Sequence, residues 1–385
     1  MTISDAQAWR LELAPVPFVD NHVHPLSRTQ PATPEEFRAN FAEAYDPSLA
    51  ADHVASAVYY RWSLRQLGAF LGVPPTEEEI LEQRDSQGFL NYTRGLVSDA
   101  DIAYLLLDTG FPAPDDAYPL TKMANLLHVR VGHILRIETL LQDLIVEHDS
   151  LADMDAAFED SLQDARKRGA IALKSIAAYR TGLAIENPTD VDAAAALDTV
   201  RKSTERPLRL TDKTLIDYFV HRALAFAARE GMPVQFHTGY GDPDLDLRLA
   251  NPLHLRPLFE DQRYRDAPIV MLHASYPFTA EAAFLAAVYP NAYLDIAYSL
   301  PPLGYYPLLR ATSTALGTAP ASKILASSDG ARIPEHYWLG ATRARQVLAA
   351  ALDDAIRAGE LDLGAARQTG ELILSENAYR IYGLR

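Results

Sequence analysis

The chain has 385 residues, 48% of them hydrophobic and 22% charged, with a formal net charge of −16 and no cysteine. The length supports a full core, the acidity argues against a nucleic-acid or anionic-membrane surface, and without thiolates any metal must be held by His, Asp, Glu or a modified Lys. No stretch approaches the roughly 18 apolar residues of a membrane span, and "MTISDAQAWRLELAPVP" has no apolar signal-peptide core, so a cytoplasmic protein is expected.

The first predicted strand, "VPFVDNHVH" (16–24), ends in His22 and His24. Side chains at i and i+2 share a face of a strand, so both imidazoles enter the same space. They read as two ligands for one metal or as a histidine pair in a turn closed by Pro25. Residues 27–100 form an insertion with helix-like segments "TPEEFRANFAEAY", "DHVASAVYYRWSLRQLGAFLG" and "TEEEILEQRDSQGFLNYTRGL". Thr33 followed by Pro34, Glu35 and Glu36 reads as a cap and first turn. "IAYLLLDTG" (102–110) and "VGHILRIE" (131–138) are the second and third strands. Helical "SLQDARKRGA" leads into the fourth, "AIALKSIAAY" (170–179), and a polar, proline-punctuated long loop follows over 180–212. The helix "LIDYFVHRALAFAAREG", with its Gly stop, precedes the fifth strand, "PVQFHTG" (233–239). "PIVMLHASY" (268–276), helical "TAEAAFLAAVYP", "AYLDIAY" (292–298) and "KILASSDG" (323–330) complete the series, and "ELILSENAYRIYGL" reads as a last helix closing on the barrel.

Near-continuous apolar runs alternating with helices are the pattern of parallel strands covered on both faces. Eight of them predict a (β/α)8 barrel as one domain over 1–385, with the insertion at 27–100 and the loop at 180–212 lying over the mouth. A doubly wound sheet lacks support, because no Gly-rich phosphate loop follows the first strand.

Barrel active sites sit at the C-terminal strand ends. There the first strand carries His22 and His24, the fourth Lys174, the fifth His237, the sixth His273 and the eighth Asp329. A lone histidine at a strand end is usually a packing residue; this set across five strands is a ligand constellation.

"HVH", "FHTG", "LHAS" and "SSDG" on strands one, five, six and eight resemble the amidohydrolase superfamily over nearly the whole chain. "ALKSIAAYRTGL", "FHTGYGDPDLDLRLANPLHLRPL", "YPNAYLDIAY" and the "PEHYWLG" after "SSDG" resemble, more narrowly, the FluG-type domain, which some proteins fuse to glutamine synthetase. The chain ends where the amidohydrolase-like part would end, so no synthetase domain is expected. The resemblance implies a divalent-metal hydrolase, usually zinc with manganese or another ion as alternatives, with His22, His24, His237 and Asp329 as ligands. It implies that His273 binds a second metal or contacts substrate. A divalent ion lowers the pKa of bound water to about 7, and Asp329 can take that water's proton and pass it to the leaving group. Its alternative is a turn residue before Gly330. Catalytic roles are expected for Asp329, His273 and Lys174.

Lys174 would bury an ammonium among apolar groups, which is costly unless paired. It reads as an anion-binding amine or as a carbamate bridging two ions, and charge counting tips toward the dinuclear form. Glu138 reads equally as a ligand, a supporting acid or a barrel-end salt bridge. Arg180 is the expected reader of a substrate carboxylate, and Tyr240, His254, Tyr276, Arg332 and Trp338 are further mouth-loop candidates. His53, His128, His133, His148, His221 and His336 lack a partner pattern and are assigned to structure.

The expected activity is hydrolysis of a C–N amide bond by metal-activated hydroxide, the resemblance tilting the substrate toward a γ-glutamyl amide or similar amino-acid derivative. The alternatives are non-oxidative decarboxylation at nearly the same ligands, or a sensor or scaffold barrel without turnover. The expected partner is a small carboxylate-bearing molecule, not nucleic acid or membrane, with a homo-oligomer allowed.

Overall fold

The computed structural model describes residues 11–202 and 207–384. The N-terminal residues 1–10, where no signal-peptide core was read, and residues 203–206 of the second insertion lie outside the described residues.

The predicted strands form one parallel sheet in chain order. They are β1 (Phe18–Val23), β2 (Ile102–Asp108), β3 (Arg130–Arg136), β4 (Ala170–Ser175), β5 (Val234–Phe236), β6 (Ile269–Met271), β7 (Ala292–Ala297) and β8 (Ile324–Ser327). The sheet curls into a nearly closed (β/α)8 barrel. β8 meets β1 through side chains and flanking backbone. Asn21 Nδ2 donates to the Ala326 carbonyl at 2.8 Å, Ser328 N to Asp20 Oδ1 at 2.8 Å, and Asp329 N to the His22 carbonyl at 3.1 Å.

Two cores follow from strands buried on both faces. Phe18, Leu105, Leu107, Leu173, Phe236, Leu294 and Ile324 face the helices. Val19, Leu106, Ile134, Ala172, Val270 and Leu325 fill the barrel, plugged from below by Ile381 and Tyr382 of the C-terminal segment. Two residues further along several strands the chemistry changes. Leu106 gives way to Asp108, Ile134 to Arg136 and Ala172 to Lys174. The barrel is thus apolar at its base and ionisable at its mouth.

The insertion folds as five α-helices, Pro34–Ala39, Pro47–Asp52, Val58–Leu71, Glu77–Gln87 and Phe89–Asp99. Thr33 caps the first in a reciprocal capping box with Glu36. The insertion is fastened to the helix Glu335–Arg357 by Tyr92 on Glu335 at 3.1 Å and by Trp338 Nε1 on Asp99 at 2.7 Å. This fastening carries residues 40–45 over the mouth. The stretch 180–212 differs from the expected loop: it contains the helix Asp190–Arg201. A Thr189–Asp192 capping box starts that helix, and buried Ala193 and Leu197 hold it down. Among the described residues no helix is long and apolar enough to cross a membrane.

Candidate metal centre

Asp20 pairs with Leu105 and Val23 with Leu107, so β1 advances three residues where β2 advances two. The extra residue is a bulge. It lets consecutive side chains, Asn21 and His22, both reach across the barrel. Asn21 Nδ2 donates to Asp295 Oδ1 of β7 at 2.7 Å, and His22 Nδ1 bonds Gln235 Oε1 of β5 at 2.7 Å. His24 then follows on the His22 face, with ring centroids 5.1 Å apart.

The hydrogen bonds select the histidine tautomers. Gln235 uses its Nε2 on the Asn21 carbonyl at 2.7 Å and on the Tyr382 hydroxyl at 2.8 Å, so its Oε1 accepts from His22 Nδ1–H. His24 Nδ1–H donates to the Asp108 carbonyl at 3.1 Å. Each ring therefore turns the lone pair of its Nε2 toward the barrel axis, that of His22 also lying 3.4 Å from Lys174 Nζ. Both nitrogens converge on Asp329 Oδ1, at 3.3 Å from His22 and 3.4 Å from His24. His273 Nδ1 lies 3.2 Å from Asp329 Oδ2. Asp329 Oδ1 and His273 Nδ1 are buried with no hydrogen-bond partner among the described residues. The His22 and His24 lone pairs thus face Asp329 Oδ1 across 3.3 and 3.4 Å, an arrangement that a cation between them resolves. His22 groups with His273 and Asp329, and also with His24 and Asp108, as sets whose ligand atoms lie within 4.8 Å of one another. Two imidazole nitrogens and a carboxylate oxygen suit a zinc-like divalent ion.

His237 stands on the other side. Its ring lies 4.5 Å from that of His273, and its Nε2 donates to the Tyr240 carbonyl at 3.1 Å, which leaves Nδ1 bare. The loops bearing these two histidines are cross-linked by Thr238 Oγ1 to the Leu272 carbonyl and to Ser275 Oγ, each at 2.7 Å. Gly239 permits that approach: a Cβ there would meet Ser275 and Tyr276 backbone at 2.4 Å. Residues 273–275 and Asp329 have φ between 48° and 62°, the left-handed region, which non-glycine residues enter at a cost.

Burial sets the charge states. It lowers His22 to about 4, with the Lys174 ammonium adding to the shift. It takes His237 and His273 well below the ordinary histidine value, so all three are neutral ligands at neutral pH. Burial works against ionisation of Asp329, while a proton on the facing His273, His22 or His24 nitrogen pulls the carboxyl well below its usual range. Lys174 is 2% exposed, with Nζ 3.4 Å from His22 Nε2. Burial lowers it to about 8 against the pull of Asp108 and Asp329.

Above these residues opens a cavity of about 410 Å³. His22, His24, Lys174, His237, His273 and Asp329 all line it, as do Arg180 and Arg332. Tyr240, His254, Tyr276 and Trp338 are not among its lining residues. Trp338 is turned into the insertion contact, His254 sits on the surface with Nε2 on the Arg248 carbonyl, and Tyr240 and Tyr276 use backbone groups to join the two loops. Glu138 supports the floor, accepting from Ser175 Oγ at 2.7 Å and Ile176 N at 3.0 Å.

Several residues joined the site without being read from the sequence. Asp108 holds Arg136 through Oδ2 at 2.6 Å and flanks His24. Gln235 orients His22. Glu43, Tyr179 and His336 line the cavity, although His336 was assigned to structure. Gln235, two residues before His237, and Asp108, at the end of "LLLD", carried a positional signal; Glu43 carried none.

Residues 148–384 match the amidohydrolase family. The match includes Lys174, His237, His273 and Asp329 and leaves His22 and His24 outside it. The chain is 33% identical over 223 residues to protein fluG of Emericella nidulans, covering 56% of this chain and 26% of that protein. The chain thus matches about a quarter of the length of that relative. A structure from Lactobacillus casei ATCC 334, provisionally named a metal-dependent hydrolase, aligns over 96% of both chains with 32% identity and a TM-score of 0.87. Uronate isomerase from Thermotoga maritima shares the fold, with a TM-score of 0.71 over 96% of this chain and 95% of that one, at 13% identity.

Proposed function

This chain belongs to the amidohydrolase family, and from that premise we propose that it is a metal-dependent hydrolase cleaving the C–N bond of a small carboxylate-bearing amide. The proposed substrate class is a γ-glutamyl amide or similar amino-acid derivative, a choice supported by the FluG-type likeness. The observation that carries the reading is the convergence of the His22 and His24 Nε2 lone pairs on the orphaned Asp329 Oδ1 beneath a cavity of about 410 Å³.

His22, His24 and Asp329 would hold the first ion. His237 would join that set, and His273, with Lys174 as a carbamate, would help to hold a second. A divalent ion there, zinc or manganese, supplies Lewis acidity toward a carbonyl oxygen and acidity to a water at neutral pH. Asp329, ionised and aimed into the site, accepts the proton of the attacking water and returns it to the departing amine. Arg180 lines the cavity, and a planar guanidinium there suits a substrate carboxylate. Fixing the remote end in this way delivers the amide carbon to the ligand cluster. The proposed partner is the small molecule, with a homo-oligomer allowed and neither nucleic acid nor membrane, and the proposed compartment is the cytoplasm; the net charge of −16 supports the absence of a nucleic-acid or anionic-membrane partner.

The test is release of p-nitroaniline from γ-glutamyl-p-nitroanilide by metal-free and zinc- or manganese-loaded protein. Turnover is expected with metal alone, and Arg180→Lys is expected to lower kcat/KM about 10–100-fold through loss of a bidentate charge-assisted contact. No amine release from γ-glutamyl or other aminoacyl amides with any divalent ion would overturn the amide reading.

A further inference from the structure

The cavity is lined by both cationic and anionic side chains. Arg136 is engaged by Asp108, and Arg209 by Asp244 at 2.6 Å, while Arg180 carries the unpartnered Nε. Glu43, brought in by the insertion, lines the same cavity. Among the described residues no hydrogen bond or ion pair engages its carboxylate. Asp329, Asp242 and Arg332 are the charges it feels. The Arg332 guanidinium is instead stacked on Phe111, 4.8 Å from the ring centroid.

His336 lines it too, feeling the same Arg332 and Asp329. It is 1% exposed, and its Nδ1–H donates to the Ala331 carbonyl at 3.1 Å. Its Nε2 therefore carries a lone pair, and that atom has no partner among the described residues. Two residues lining this cavity thus carry an acceptor that no hydrogen bond engages among the described residues: the Glu43 carboxylate and the buried His336 Nε2. Buried acceptors without donors are costly, so the missing donor is expected from a ligand.

We propose that Glu43 and His336 form a subsite for the ammonium group of the substrate, so that the cavity selects a zwitterionic amino-acid derivative, with its carboxylate on Arg180 and its amine on this pair. The inference rests on the amide-hydrolase reading for its choice of probes. Burial, with Asp329 and Asp242 nearby, pushes the Glu43 carboxyl up to about 7 against the opposing pull of Arg332.

The test compares l-glutamate with glutarate, which is the same dicarboxylate without the amine, by calorimetry on the zinc-loaded full chain. l-Glutamate is expected to bind at least about tenfold more tightly, as one charge-assisted contact implies. Glu43→Gln removes the charge but keeps the shape. His336→Asn retains a donor at the Nδ1 position and removes the Nε2 acceptor. Each is expected to bring the preference below about threefold while glutarate affinity stays unchanged. Equal binding of the two probes by the wild type, an undiminished preference in both variants, or no saturable binding of l-glutamate would overturn the subsite. A chain that keeps the l-glutamate preference yet leaves γ-glutamyl-p-nitroanilide intact would overturn the reaction and leave the subsite standing.

Discussion

Replacing Gln235 by Met tests the orientation of the metal ligands without touching a ligand. Gln235 Oε1 accepts from His22 Nδ1–H at 2.7 Å, and its amide nitrogen donates to the Asn21 carbonyl and the Tyr382 hydroxyl. Methionine fills a similar volume but accepts no comparable bond. The His22 ring then loses the contact that keeps its proton on Nδ1 and its lone pair on Nε2. Loss of such an orienting partner costs about 10–100-fold in metal affinity, roughly 1.4–2.7 kcal/mol. The buried His22 Nδ1–H and Asn21 carbonyl lose a partner as well, at about 1–3 kcal/mol each of folding stability. Zinc affinity is read by competition with a chromophoric chelator at pH 7.5, and folding by urea titration of the metal-free chain. Gln235→Glu retains an acceptor for Nδ1–H and is expected to hold zinc within a few-fold of wild type. A Gln235→Met protein that binds zinc as tightly as wild type would refute the tautomer argument.

Asp329→Asn can still offer an oxygen to the ion but is a poor proton acceptor; turnover should fall at least about 100-fold with the first ion retained, and a near wild-type rate would move the proton shuttle elsewhere. Lys174→Ala should lower the bound metal from two ions to one, read by elemental analysis; a wild-type protein with one ion and an unmodified Lys174 mass would overturn the carbamate. For pH, His22 titrates near 4 in the folded chain against 6.5 unfolded, so the unfolded state takes the proton first as pH falls. Relative to His22→Gln, the metal-free wild type should keep full stability above pH 6.5 and lose about 3 kcal/mol between pH 6.5 and 4. Parallel stability curves for the two proteins would exclude this.

The barrel was legible because each strand is buried on both faces and so reads as an apolar run with a defined end. His22 and His24 were legible because spacing by two converts directly into a shared face. The bulge that also turns Asn21 inward depends on register against β2, which no local pattern in "FVDNHV" reveals. Tyr240, His254, Tyr276 and Trp338 occupy mouth segments by chain position, but position after a strand does not say which way a side chain turns. Trp338 faces the insertion because Asp99, far away in sequence, accepts its indole N–H. Glu43 and His336 come together only once the insertion has docked, through contacts distant in sequence. The helix Asp190–Arg201 was hidden by its polar, alanine-rich surface between two proline-marked segments.

The account stands most directly on one crystallographic measurement: anomalous scattering at the zinc edge from zinc-loaded crystals. It predicts a peak at the barrel mouth within about 2.0–2.2 Å of His22 Nε2, His24 Nε2 and an Asp329 carboxylate oxygen, with His22 Nδ1 still on Gln235. A mouth without an anomalous peak, or an ion bound while the His22 and His24 rings turn their Nε2 atoms away from it, would contradict it.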